Sequence, residues 1–200
     1  MRKIVALSFV TLDGVVQAPG GPDEDPEGGF PYGGWVAPHF DEHLGAAMTE
    51  QMSETRALLL GRKTYEIFAS YWPGHESEWP GVSSATKYVV STTRTESLWE
   101  NTVFVQGDVA EEVRRLKQQD GPDLQVHGSI QLLQTLFEHG LVDELWLKVF
   151  PITLGTGKRL FGEGTGAVAF ELVHSQTTPS GVVVTRYERA GDVETGSFGA

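Results

Sequence analysis

Two hundred residues and 21.9 kDa suit one domain, and 40% hydrophobic with 21% charged residues is ordinary globular usage that excludes a disordered, coiled-coil or collagen-like chain. With no cysteine there is no disulfide scaffold, thiolate nucleophile or Cys-ligated metal centre. Fifteen Lys+Arg against 27 Asp+Glu give a net charge of −12, and no apolar run approaches the ~20 residues that span a bilayer; neither nucleic acid nor membrane is an expected partner, and a cytoplasmic location is expected.

Residues 3–10 (KIVALSFV) read as a buried strand, and Asp13 interrupts the apolar stretch too soon for a signal peptide. Residues 13–38 are dense in Gly and Pro, with seven of the chain's 24 Gly and five of its 10 Pro, which predicts a long loop without regular structure. Phe30, Tyr32 and Trp35 give that loop apolar anchors, so a functional loop is favoured over a plain surface connection. Pro38 suits a helix start, with Asp41 and Glu42 in its first turn and Phe40, Leu44, Ala47, Met48 and Met52 on one apolar face. ALLLG (57–61) predicts a short buried strand and GRKTYEIFASYW a helix opened by glycine. Strands follow at 86–93 and 102–106, a helix at 108–119 with Asp108 as N-cap, and a strand at 123–128. A helix at 129–140, a strand at 143–151 and a hairpin of 167–178 with 182–189 around Pro179-Ser180-Gly181 complete the order, with 191–200 as a flexible tail. Alternating strands and helices followed by paired strands predict an α/β fold over residues 1–190: a mostly parallel mixed sheet, helices on both faces and a C-terminal antiparallel hairpin.

Three strand ends carry residues suited to an anion. At Gly61-Arg62-Lys63-Thr64 a helix start brings N–H groups, a guanidinium, an ammonium and a hydroxyl together. Gly128-Ser129 repeats the strand-to-helix junction with backbone and a hydroxyl alone. Ser91, Thr92, Thr93 and Arg94 end a third strand. Ligands of open α/β sheets lie across such ends, and three of them fit one extended molecule with two phosphate regions, as in a dinucleotide. His127, beside Gly128, is either a packed core histidine or part of the ligand site. Gly155-Thr156-Gly157-Lys158 falls short of a P-loop, because Ile152 stands where the earlier glycine belongs and Arg159 where Ser or Thr belongs. The first strand is followed by no G-x-G-x-x-G, and no G-x-S-x-G elbow is present. His39 and His43, four apart beside Asp41, are read as incidental, and no metal is expected.

GRKTYE after ALLL, Ser-Thr-Thr after KYVV, VHGSIQLLQTL and GLVDELWLKVFPITLGTGKRLF resemble, in order, the dihydrofolate-reductase-like proteins. Within them the chain is most similar to stand-alone proteins like the reductase domain of the bifunctional riboflavin-biosynthesis deaminase–reductase, over residues 3–189. The resemblance implies a dihydrofolate-reductase-like fold, NADPH as hydride donor and a small-molecule substrate, with homodimerisation through strand 143–150 or the late hairpin. It also implies positions. Gly61, Arg62, Lys63 and Thr64 would hold phosphates, and Ser91, Thr92, Thr93 and Arg94 the adenosine 2′-phosphate. His127, Gly128, Ser129 and Ile130 would line the pyrophosphate and nicotinamide, while Leu12, Asp13 and Gly14 fall in the loop that covers the nicotinamide. Dihydrofolate reductases carry consecutive glycines where this chain has His127-Gly128. Their pterin-anchoring carboxylate falls near Asp41 and Glu42, the candidate catalytic acids; the bland alternative is that these acids only stabilise the helix dipole.

The expected activity is reduction of a small heterocycle of the 5-amino-6-(5-phosphoribosylamino)uracil type. Pterin reduction, or dinucleotide binding without catalysis, are the alternatives. Lys158 and Arg159 are the late basic residues available to a substrate phosphate. Acids concentrate in residues 13–54, whereas Arg62, Lys63, Lys87 and Arg94 are expected to cluster around the junctions as a local basic pocket.

Overall fold

The computed structural model describes residues 1–53 and 56–199. Glu54, the last of the acids counted in segment 13–54, and Ala200, the end of the predicted tail, lie outside the described residues. Eight strands form one sheet: β1 (Ile4–Thr11), β2 (Ala57–Gly61), β3 (Lys87–Val90), β4 (Thr102–Val105), β5 (Leu124–His127), β6 (Glu144–Phe150), β7 (Ala169–Thr177) and β8 (Val183–Gly191). Their order is β4-β3-β2-β5-β1-β6-β8-β7; pairing is parallel as far as β6, and β8 runs antiparallel to both β6 and β7. Among the described residues four helices, α1 (Glu42–Ser53), α2 (Arg62–Tyr71), α3 (Val109–Gln118) and α4 (Ile130–Glu138), cover the two faces.

The two-residue period of β2 shows how the layers form. Ala57 and Leu59 join the core under α3 and α4, with Val113, Leu133 and Leu136. Leu58 and Leu60 point the other way, into a core with Tyr65 of α2 and Trp79. All four are essentially inaccessible, as a central parallel strand requires, and each such leucine contributes about 1.5–3 kcal/mol. A third core beside α1 gathers Leu44, Ala47, Phe150 and Val184. β7 forms the edge and is exposed over most of its length.

The strands and helices read from the sequence are present, with ends shifted by one to three residues, the strand expected over 86–93 ending already at Val90. Pro38 differs: it sits in a 3-10 turn, Ala37–His39, and α1 begins only at Glu42 with Asp41 accepting from the Leu44 amide at 2.8 Å as its N-cap. Phe40 precedes the helix and is exposed. The 13–38 segment holds a second 3-10 turn at Glu27–Gly29. Phe30 and Trp35 do anchor it, Trp35 packing edge-on against Phe150 at 5.1 Å, whereas Tyr32 is exposed. Gln17 is the buried pivot: its amide nitrogen donates to the Asp25 and Glu27 carbonyls at 2.9 Å. Gly157 is required by this packing, since a Cβ there would stand 2.7 Å from the Phe30 ring and 2.8 Å from Val15. β8 ends at Gly191, and residues 192–199 contain neither helix nor strand.

No helix among the described residues is long and apolar enough to cross a membrane.

Candidate functional site

A cavity of about 730 Å³ runs across the carboxyl ends of β2, β3 and β5, beneath the 13–38 loop. Gly61, Arg62, Lys63, Thr64, Ser91, Thr92, Thr93, His127, Gly128, Ser129 and Ile130 all line it, so the three strand ends singled out in the sequence do converge. The Ser129 hydroxyl joins two of them: its Oγ accepts from the Gly61 amide and donates to Thr64 Oγ1, each at 2.8 Å. Gly61 suits this close approach, because a Cβ would lie a tight 3.2 Å from Ser129 Cβ and Oγ. Ser129 itself adopts left-handed backbone (φ 61°, ψ 61°) directly after Gly128 (φ +61°), a conformation that costs a serine of order 1 kcal/mol or more.

The ends of the four helices are treated differently. Asp41 caps α1, and Asp108 caps α3 by accepting from the Glu111 amide at 2.9 Å. α2 and α4, whose first residues line the cavity as does Val109 of the capped α3, begin with no side-chain cap. Their first-turn N–H groups therefore keep their affinity for an acceptor. Ser8 adds a buried hydroxyl with no hydrogen-bond partner among the described residues, on the cavity wall where β1 passes the last β5 pairing, Leu7 with His127.

At one end of the cavity a smaller recess of about 350 Å³ is lined by Arg62, Glu66, Thr93, Arg94, Thr95 and Glu96. Ser91 Oγ folds the chain there by accepting from the Arg94 amide at 2.9 Å. Glu66 holds both arginines, Arg62 at 3.0 Å and Arg94 through Nε and Nη2 at 3.0 and 2.8 Å. At the mouth, Lys158 bridges Asp25 and Glu27 at 2.6 and 2.7 Å, and Lys63 reaches the same Glu27 at 2.7 Å. The Lys158 and Lys63 ammoniums hold the Glu27 carboxyl down to a pKa of about 2.

This corrects the expected basic pocket. Arg62, Lys63, Arg94 and Lys158 are each matched by an acid, and Lys87 is elsewhere. It starts β3 at the opposite end of the strand, buried, with its ammonium 4.0 Å over the Trp99 ring and donating to the Ser83 and Glu100 carbonyls. Asp41 and Glu42 do not line the cavity. Asp41 accepts from Leu44 and from the Ser180 amide (3.0 Å) in the β7–β8 turn, bonds that lower its pKa to about 2, while Glu42 is exposed. Leu12 and Gly14 also lie off the cavity wall, Leu12 exposed and Gly14 in the turn after β1. Asp13 between them accepts from Thr11 Oγ1 and from the Leu154 and Gly155 amides, which lower its pKa to about 2. That turn reaches the cavity through Val16 and Ala18. His39 rests edge-on against Phe150. Arg159 is tied to the Asp13 carbonyl rather than facing the cavity.

Sequence reasoning missed a second compartment, on the face of the sheet covered by α1 and α2. Phe9, Met48, Met52, Phe68, Trp72 and Trp79 give it apolar and aromatic walls. On its floor the buried Lys148 donates to Gln51 Oε1, the Gln125 amide nitrogen donates to the Gln51 carbonyl at 3.3 Å, and Gln125 Oε1 meets His127 Nε2 at 2.9 Å. Facing an amide oxygen, that nitrogen carries the ring proton. Burial, with the nearby Lys148 charge, pulls the His127 pKa down to about 3, so the imidazole is neutral. The available signal was Lys148 itself, a lysine in phase with Trp146 and Phe150 in the strand ELWLKVF.

With this geometry established, three comparisons place the chain. The family model for the RibD C-terminal domain matches residues 2–184. Protein YyaP of Bacillus subtilis strain 168, which is uncharacterized, is 30% identical over 200 residues, covering 95% of this chain and 96% of YyaP. Among solved structures, a candidate riboflavin-biosynthesis protein of Shewanella sp. PV-4 superposes with a TM-score of 0.62 at 22% identity, over 94% of this chain and 98% of that one. Dihydrofolate reductase from Enterococcus faecalis, solved with NADP(H), gives 0.60 at 15% identity over 94% and 96%. The fold is therefore dihydrofolate-reductase-like.

Proposed function

The chain belongs to the RibD C-terminal domain family, and on that premise we propose that it is an NADPH-dependent reductase of a small flat heterocycle. The carrying observation is the 730 Å³ cavity, onto which two uncapped helix starts open, fastened to each other by the Ser129 hydroxyl. Both are ready-made acceptor sites for phosphate oxygens. The residues suit the nucleotide on further grounds of their own: Ser8 offers an orphaned hydroxyl, and Arg62, Thr93 and Arg94 gather in the end recess.

In this reading Gly61, Arg62, Lys63, Thr64 and Ser129 hold the phosphates. Ser91, Thr92, Thr93 and Arg94 surround the adenosine 2′-phosphate, and His127, Gly128, Ser129 and Ile130 flank the nicotinamide. Leu12 and Gly14 act at one remove, through the turn that sets Val16 against the cavity. The bound dinucleotide supplies the hydride. The chain supplies orientation, an aromatic compartment and charge. Asp41 has no proton to donate near neutral pH, and its two oxygens hold α1 to the hairpin.

The substrate class follows the family: a pyrimidine such as 5-amino-6-(5-phosphoribosylamino)uracil. A pterin held by a carboxylate fits less well, because the acids of the cavity wall, Glu24, Asp25 and Glu27, all belong to the 13–38 loop and not to the floor. The test is absorbance loss of NADPH over a panel of pyrimidines headed by that compound. Turnover is expected with a pyrimidine; binding of NADPH without turnover of any member would contradict the assigned chemistry.

A further inference from the structure

Lys148 is the unusual group of the second compartment. It projects from a central strand, is 4% exposed, and among the described residues no carboxylate lies within ion-pair distance. An ammonium has three donors; here one goes to Gln51 Oε1, and the nearest ring, Phe9, lies 5.2 Å away. His127, whose pKa the Lys148 charge helps to lower, keeps a neutral ring, and the carboxylates that line the cavity, Glu24, Asp25 and Glu27, belong to the 13–38 loop. A buried cation with a neutral partner and spare donors is costly unless something else arrives to accept from it. The cavity supplies the access, because Lys148 and Gln51 both line it.

Resting on the nucleotide-dependent reading of the adjoining half of the cavity, we propose that Lys148 and Gln51 form the recognition floor for the substrate and take a flat ring through a carbonyl or enolate oxygen, favouring anionic rings over cationic ones. The walls fix the shape. Phe68, Trp72 and Trp79 present ring faces and edges to a planar molecule, and Met48 and Met52 pack around it. Lys148 fixes the charge, opposite in sign to a floor that anchors a protonated pterin through a carboxylate. Burial draws its own pKa down to about 7, so an oxyanion that bound it would also restore a charge that the empty floor disfavours.

The test uses three one-ring probes of similar size: the barbiturate anion, neutral uracil and cationic 2,4-diaminopyrimidine. Their binding is followed at pH 6 through quenching of the cavity tryptophans, with and without NADPH. The wild-type protein should bind barbiturate most tightly and diaminopyrimidine least. Lys148→Met should lower barbiturate affinity about tenfold to a hundredfold, the range of a charge-assisted hydrogen bond, and erase the order, while Lys148→Arg retains part of it. NADPH affinity should stay within about twofold in both variants. Diaminopyrimidine binding more tightly than barbiturate, no barbiturate binding at millimolar concentration, or unchanged barbiturate affinity in folded Lys148→Met would each overturn the proposal. Failure of NADPH to bind the wild-type protein would instead strike the proposed function, and the charge order of the probes is measurable without it.

Discussion

The Ser129 hydroxyl accepts the Gly61 amide at 2.8 Å and so fastens the start of α4 to the end of β2. Sixty-eight residues apart in the chain, the two positions make one anion-facing corner out of two strand-to-helix junctions. Removing the hydroxyl leaves a part-buried amide without its acceptor. Ser129→Ala should therefore cost about 1 kcal/mol of stability and weaken NADPH and NADH by a similar factor. Chemical denaturation and fluorescence titration measure the two effects; a variant with unchanged stability would show that the bond carries no weight.

Gly61→Ala tests the same contact from the other side. Its Cβ would stand 3.2 Å from Ser129, so the corner must open, at a cost of about 1–3 kcal/mol. The φ at this position is ordinary, so backbone strain does not contribute. Thermal unfolding of the variant should show a loss larger than that of Ser129→Ala.

Glu66 pairs with Arg62 and Arg94, so in the proposed function it would compete with a 2′-phosphate for them. Neutralising it by Glu66→Gln should tighten NADPH severalfold and leave NADH unchanged, since these half-exposed ion pairs are individually worth only about 0.2–1 kcal/mol. A fall in NADPH affinity in this variant would mean that Glu66 positions the arginines rather than occupying them.

Much of this site was legible because it is made of local signals. ALLLG followed by RKTYE, and LQVH followed by Gly128-Ser129, state a buried strand, a turn and a helix within a dozen residues each. The alternating order of strands and helices pointed to helices on both faces, and the continuous apolar run of β2 is buried on both. What stayed hidden depends on contacts distant in sequence. Lys63 and Lys158 read as free cations until the 13–38 loop folds over and brings Asp25 and Glu27 to them. Lys87 looked like a site residue because the sequence shows which strand it is on but not which end of that strand the cavity occupies. Asp41 was recognisable as a helix-start acid, yet its second bond, to Ser180, spans 139 residues. Lys148 is misleading in another way, a charge placed inward, in phase with Trp146 and Phe150, where an apolar side chain is expected.

Two desolvated bases, a half-buried histidine and a buried lysine, should shape the stability of the protein with pH. His127 and Lys148 have folded pKa values lowered to about 3 and about 7, below their ordinary 6.5 and 10.5. In each window the unfolded chain binds the proton that the folded one does not, so stability rises with pH from about 3 to 6.5 and again from about 7 to 10.5. Lys148→Met removes the second contribution. It should unfold at a higher temperature than the wild-type protein at pH 6, with the gap narrowing toward pH 9. A variant less stable than wild type at pH 6 would contradict a buried ammonium.

The most direct test of the account is a tryptophan-fluorescence titration of the wild-type protein and Arg62→Ala with NADPH and NADH. Trp72 and Trp79 line the cavity and supply the signal. Saturable quenching by both nucleotides is expected, with NADPH the tighter, and Arg62→Ala should weaken NADPH more than NADH because the guanidinium borders the recess proposed for the 2′-phosphate. Absence of quenching by either nucleotide, or an equal loss for both in Arg62→Ala, would contradict the placement of the dinucleotide in this cavity.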